Sequence, residues 1–160
     1  MATIRETISD MTPEELRIPL LDAMIDHVAF DGWSITALNS AANDIGVTSE
    51  MAELAFPRGA IEVLEFHLER ADQKLMQTLV DMDLPSMRIR DRITIAVKTR
   101  LEQNKFHREA IARGLNFLSM PQHIALGTTV LWRTADIMWR AAGDTSTDHN
   151  WYTKRMTLSG

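Results

Sequence analysis

Apolar residues recur at helical spacing along almost the whole chain, and no segment sustains the period-two alternation of a half-buried strand. This periodicity restricts the chain to an all-α fold, because residues spaced for one face of a helix scatter over both faces of a strand. The 160 residues are enough to bury a real core. A hydrophobic content of 45% with 24% charged residues is ordinary for a globular protein and does not point to disorder.

The helices can be placed from their punctuation. Thr12 is a candidate N-cap, followed by Pro13 at the first helical position and by Glu14 and Glu15 in the first turn, where the helix dipole favours anions. Pro19 is then expected to start the first long helix, with Leu20, Leu21, Met24, Ile25 and Val28 on one face and Asp31-Gly32 at its end. Ser34 caps a second helix that buries Ile35, Leu38, Ala41, Ala42 and Ile45. Gly46 supplies the positive φ of a tight turn.

A short third helix, capped by Thr48 or Ser49, reaches Phe56 and is expected to pack Val47, Met51, Leu54 and Phe56 against the first two. After the break at Pro57-Arg58-Gly59, a long fourth helix is striped by Ile61, Leu64, Leu68, Ala71, Leu75 and Leu79 and ends near Leu84-Pro85. The fifth carries Ile89, Ile93, Ala96, Val97 and Leu101, and the sixth Phe106, Ile111, Leu115 and Leu118. The seventh starts at Pro121 and carries Ile124, Val130, Leu131, Ala135, Met138 and Trp139. A polar linker, DTSTD, then leads to a last helical stretch around NWYTKRMTL. The expected organisation is a three-helix head over residues 1–58 and a helical body over residues 59–160.

The net charge of −5 conceals an asymmetry. Up to Glu69 the chain has three Lys/Arg (Arg5, Arg17, Arg58) against thirteen Asp/Glu, and from Arg70 onward fourteen against nine. Helices two and three have the spacing of a helix-turn-helix, yet the third carries Glu50 and Glu53 and no cation. Because DNA affinity depends on phosphate neutralisation by Lys and Arg, such a head repels the duplex, and DNA binding is not expected.

The order of a helix, a helix-turn-helix with Gly46 in the turn, the Phe56-Pro57 corner and a long connecting helix resembles the head of TetR-type regulators. A narrower likeness covers about Leu20 to Arg155. HVAFDGWS (His27 to Ser34), FPRG (Phe56 to Gly59), EFHLE (Glu65 to Glu69) and DTSTDHNWYTKR (Asp144 to Arg155) are similar to the signatures of the Coq-nine family of ubiquinone-biosynthesis accessory proteins, whose bacterial members are also labelled rpsU-divergently transcribed proteins.

That resemblance implies a TetR-like fold that has lost DNA binding and holds a lipid or isoprenoid in its body. It also implies a non-catalytic role, presenting a polyprenylated quinone precursor to a hydroxylase of ubiquinone biosynthesis. By position, Asn150, Trp151, Tyr152 and Arg155 match the family's partner-facing motif, with His149 where Phe is common. The family continues past this motif with a further helix pair, one helix of which touches the membrane, whereas this sequence stops at MTLSG.

The remaining chemistry is weighed against blander explanations. None of the histidines at 27, 67, 107, 123 and 149 stands three or four residues from another, so no helix face offers a metal pair, and no metal site is expected. No G-x-S-x-G or glycine-rich phosphate loop is present, and no catalytic residue is assigned. Ten methionines, Met76, Met82, Met87, Met120 and Met138 among them, provide an adaptable lining.

With the family likeness, the inward positions Ile93, Val97, Leu101, Leu115, Leu118, Leu131 and Met138 are the candidate lipid-binding residues. The expected ligand is a lipid, fatty acid or isoprenoid quinone, with no other cofactor. A homodimer and a peripheral membrane contact are further expectations, since TetR-like bodies pair through their last helices. The absence of cysteine and of a targeting segment leads to an expected cytoplasmic location, peripheral at the inner membrane of a bacterium. The rival reading is a TetR-type transcriptional regulator with an apolar effector pocket.

Overall fold

The computed structural model describes residues 7–82 and 84–141. All regular structure among them is helical. The seven named α-helices are α1 (Pro13–Asp31), α2 (Ile35–Ile45), α3 (Ser49–Ala55), α4 (Ala60–Val80), α5 (Ile89–Asn104), α6 (Arg108–Leu118) and α7 (Ile124–Ala141). Single 3-10 turns lie at Leu84–Ser86, Lys105–His107 and Pro121–His123. The last helical stretch expected after Gly143 lies outside the described residues.

The start of α1 corrects the expectation that Pro19 opens the first long helix, because the helix begins at Pro13 and runs through Pro19. A complete capping box sets that start: Thr12 Oγ1 accepts from the Glu15 amide at 3.2 Å, and the Glu15 carboxylate accepts from the Thr12 amide at 2.8 Å. A proline inside a helix costs about 3 kcal/mol through its missing donor and its clash with the preceding turn. Leu16, Leu20, Leu21, Met24 and Val28 of α1 are all buried. At about 1.5–3 kcal/mol for each buried side chain of this size, two of them offset that cost.

Two compact units emerge: the residues up to His67 together with His107–Phe117, and Leu68–Phe106 together with the residues from Leu118 onward. The expected boundary after Arg58 therefore does not coincide with the division, since the first turns of α4 and nearly all of α6 belong with the head.

In the first unit α1, α2 and α3 pack on one another. Gly46 adopts the left-handed conformation, φ 77° and ψ 28°, that ends α2 and turns the chain into α3, whose amide at Met51 is capped by Thr48 Oγ1. The small residues Ala37, Ala41, Ala42, Ala52 and Ala55 are buried, so the contacts are made by backbones at close approach. As a result α3 is oriented by Ala52, Ala55 and Phe56, and Leu54, expected inside, is 62% exposed; Ile35 is likewise outside. Trp33 ties α6 to the head: its Nε1–H donates to the Ala110 carbonyl at 3.0 Å, and its ring lies 5.6 Å from that of His67. Gly114 makes room for it, since a Cβ there would come within 3.3 Å of Trp33 Nε1 and 3.2 Å of Leu64 Cδ1.

The second unit is built on a cluster of Leu75, Leu79, Leu84 and Ala96, against which Met82, Met87, Ile95, Ile137 and Met138 pack. The cluster joins the C-terminal half of α4 to α5 and α7, and this core positions the site described next.

Candidate functional site

The features with functional content lie in the second unit. The C-terminal turns of α4 and α7, with the chain that follows α4, enclose a groove of about 430 Å³. Met76, Leu79, Val80, Met82, Leu84 and Ile137 supply its apolar lining, and Asp136 and Arg140 stand at its polar edge, paired at 3.1 Å. The size falls within the range of small-molecule sites, and the apolar lining with few polar groups is the usual composition of such a site. The sequence makes the groove by interrupting helix geometry: α4 stops at Val80, and the turn at Leu84–Ser86 brings Leu84 back against Leu79.

One turn before the groove on both helices lies a buried charged centre. Asp72 on α4 is only 2% exposed. Its Oδ2 accepts from Arg133 Nε at 2.9 Å, and its Oδ1 accepts from Thr134 Oγ1 at 2.9 Å and pairs with Arg100 Nη2 at 3.0 Å. Three helices thus meet on one carboxylate. Burial pushes the Arg100 guanidinium below its ordinary value, and Asp72 pulls it back up by charge and hydrogen bonding. Nη1 of Arg100 and Nη2 of Arg133 are buried without a hydrogen-bond partner among the described residues. Beyond Arg100 on α5, Gln103 Nε2 donates to Thr78 Oγ1 at 3.0 Å, so the polar layer continues between α4 and α5.

The seven sequence-predicted lipid-binding residues are dispersed rather than gathered. Ile93, Val97 and Leu101 follow one stripe of α5, half-buried at Ile93 and 65% exposed at Leu101. Leu115 is exposed on α6 in the first unit, Leu118 is half-buried at the end of that helix, and Leu131 is exposed on α7. Met138 packs against the Leu75 cluster. None of the seven lines the groove. Of the methionines singled out as adaptable lining, Met76 and Met82 line it, whereas Met87 joins Met138 against the core. Asn150, Trp151, Tyr152 and Arg155 lie outside the described residues.

Sequence reasoning missed α4 as a groove wall and missed Asp72 altogether. The signal was present: Asp72 stands between Leu68, Ala71, Leu75 and Leu79 on the apolar stripe of α4, where a solvated carboxylate has no place.

In the head, the one arginine of the described residues before Phe56 is withdrawn. The Arg17 guanidinium lies over the rings of Phe56 and Phe66, at 4.8 and 5.0 Å, and meets Glu62 at 3.4 Å. Arg58 pairs with Glu65 at 2.5 Å, and that hydrogen bond raises its pKa. Glu50 and Glu53 remain exposed on α3.

The described residues form an all-helical chain with an apolar groove, and comparison with known proteins shows what it is similar to. Residues 124–160 match the sequence model of the COQ9 family. The chain is 32% identical over 157 residues to the mitochondrial ubiquinone biosynthesis protein COQ9 of Rattus norvegicus, an alignment that covers 92% of this chain and 49% of the relative. It is 31% identical over 153 residues to the same-named protein of Homo sapiens, covering 91% and 48%. A probable ubiquinone biosynthesis protein from Dictyostelium discoideum is 24% identical over 150 residues, covering 90% and 49%.

The chain is similar to these COQ9 proteins along nearly its whole length, and it spans about half the length of the curated relatives it matches. No described helix is long and apolar enough to cross a membrane.

Proposed function

We propose that this chain is a non-catalytic accessory protein of ubiquinone biosynthesis, which holds the isoprenoid tail of a polyprenylated quinone precursor and presents its head to a hydroxylase. The observation that carries the reading is the groove between the ends of α4 and α7, whose lining is apolar apart from Asp136 and Arg140. The COQ9 relatives, named for ubiquinone biosynthesis, suggest the pathway. The partner surface of the reading is the motif Asn150, Trp151, Tyr152 and Arg155, in which two amphipathic aromatics beside a cation have the composition of a binding hot spot. The location at a membrane surface and the homodimer belong to the same proposal.

Removal of the chain from a cell that encodes it tests the reading: the quinone should fall and its prenylated, unhydroxylated precursor should accumulate. Restoration by the native chain but not by a Met76→Trp, Val80→Trp double variant, which fills the groove, supports the role of the groove. Unchanged quinone and precursor levels overturn the pathway assignment.

The regulator reading is not favoured. With Arg17 held by Phe56, Phe66 and Glu62, and with Glu50 and Glu53 on the exposed side of α3, the face that would meet phosphate is negative.

A further inference from the structure

α1 has two opposed faces. Leu16, Leu20, Leu21, Met24 and Val28 are buried on one side. Ile18, Asp22, Asp26 and Phe30, each four residues from the next, form a row on the other and are all exposed. At 1.5 Å per residue the row is about 18 Å long. Its two apolar members sit at its ends, Ile18 at 47% exposure and Phe30 at 86%.

Three features of the C-terminal half of this row work against the helix that carries it. Asp22 and Asp26 are like charges one turn apart, a spacing that destabilises a helix. Asp31 ends the helix, and the last turn holds no basic residue, although the helix dipole there favours cations. Phe30 leaves most of a large ring in water. None of Asp22, Asp26 and Asp31 forms an ion pair among the described residues. Arg113 of α6 lies beside Gly32, but its Nε is held by Glu109 at 3.3 Å. A lone exposed apolar residue or a solvated acid is ordinary. An aromatic in line with two unpaired carboxylates, at a helix end of the same sign, is a composite surface fitted to a cationic and apolar occupant.

Charge narrows the occupant. The carboxylates and the negative helix end repel phosphate, so neither a nucleic acid nor an anionic bilayer fits. Among the described residues no group of acidic or histidine side chains is placed to hold a metal ion. A second copy does not supply the complementary row either. The described residues have two pairs of cations four apart, Arg70–Lys74 and Arg88–Arg92, and Arg70 and Arg92 are half-buried. The apolar residues four beyond them are Phe66, stacked on Phe56, and the buried Leu84 and Ala96. We propose that the C-terminal half of α1 docks a basic amphipathic helix of another protein. That helix carries two Lys or Arg four residues apart, which meet Asp22 and Asp26, and a large apolar residue four further along, which covers Phe30. The surface lies in the first unit and is independent of the groove, so its failure leaves the reading of the groove untouched.

The test is titration of the full chain, at low and at moderate salt, with an alanine-based helical peptide carrying Lys-x-x-x-Lys-x-x-x-Phe, followed by amide chemical shifts. Shifts are expected along Ile18 to Asp31. Binding should be about tenfold tighter than that of the peptide with Ser in place of Phe, and lost with Glu in place of both Lys. Asp22→Asn together with Asp26→Asn should weaken it about tenfold and flatten its salt dependence. Phe30→Ser should remove the preference for the Phe peptide. Because all three side chains are exposed, these variants are expected to melt no lower than the native chain, which separates docking from a structural role. Equal affinity for the Phe and Ser peptides, or shifts confined to other helices, overturns the proposal. Cross-linking in the cell of origin, from a photoreactive residue in place of Phe30, identifies the occupant. A peptide of another protein that carries the basic and apolar row supports the proposal, and a peptide of this chain, whether from a second copy or from residues 142–160, overturns it.

Discussion

Asp72 and Arg133, sixty-one residues apart in sequence, meet at 2.9 Å, and with Arg100 they clamp α4, α5 and α7 around one carboxylate. Breaking a buried ion pair on one side strands the other charge, at a cost of about 3–5 kcal/mol. Asp72→Ala is therefore expected to lose stability on that scale, measured by urea denaturation. A loss below about 1 kcal/mol would show that solvent reaches the arginines and that the centre is not buried as described.

The capping box and the internal proline of α1 make opposite predictions. Thr12→Ala removes the acceptor for the Glu15 amide and should cost about 1 kcal/mol. Pro19→Ala restores a backbone donor in the interior of α1 and should stabilise the chain by about 1–3 kcal/mol. Thermal melting checks both, and destabilisation by Pro19→Ala would mean that its ring packing outweighs the missing hydrogen bond.

Gly114→Ala sets helix propensity against packing. Alanine gains up to about 1 kcal/mol within a helix, but here its Cβ meets Leu64 Cδ1 at 3.2 Å and Trp33 Nε1 at 3.3 Å. Trp33 is held by its hydrogen bond to Ala110 and cannot yield freely, so the overpacking penalty of about 1–3 kcal/mol should win. The expected outcome is a net loss with a changed tryptophan emission; unchanged emission with a gain in stability would show that Leu64 alone gives way.

Most of the helix order was legible in the sequence because it rests on local signals. Ser34 caps the helix it was read to cap, Thr48 rather than Ser49 caps the third, Thr12 caps a helix that runs on through Pro19, and Gly46 makes the turn. What was not legible depends on which helices meet. Periodicity places Leu101 and Leu115 on apolar faces, yet it does not say what those faces touch, and both are exposed. Leu54 is outside for a related reason: Ala52 and Ala55, with less apolar surface, allow closer approach and set the rotation of α3. The groove escaped notice because it forms where α4 ends and Leu84 folds back, a tertiary event with no periodicity of its own.

The acidic head has its own test. A duplex carrying the promoter nearest the coding sequence should not be retained by this chain in a gel-shift measurement, even at low salt, where phosphate contacts are strongest. Charge reversal at Glu50 and Glu53 to Lys is expected to produce weak, salt-sensitive, sequence-independent retention. Retention by the native chain would restore the regulator reading.

Native mass spectrometry of the full chain, purified without detergent, tests the central claim most directly. The account predicts a chain that carries a co-purified lipid adduct, lost in the Met76→Trp, Val80→Trp variant that fills the groove. The bare chain mass alone, unchanged after incubation with lipid, would contradict it.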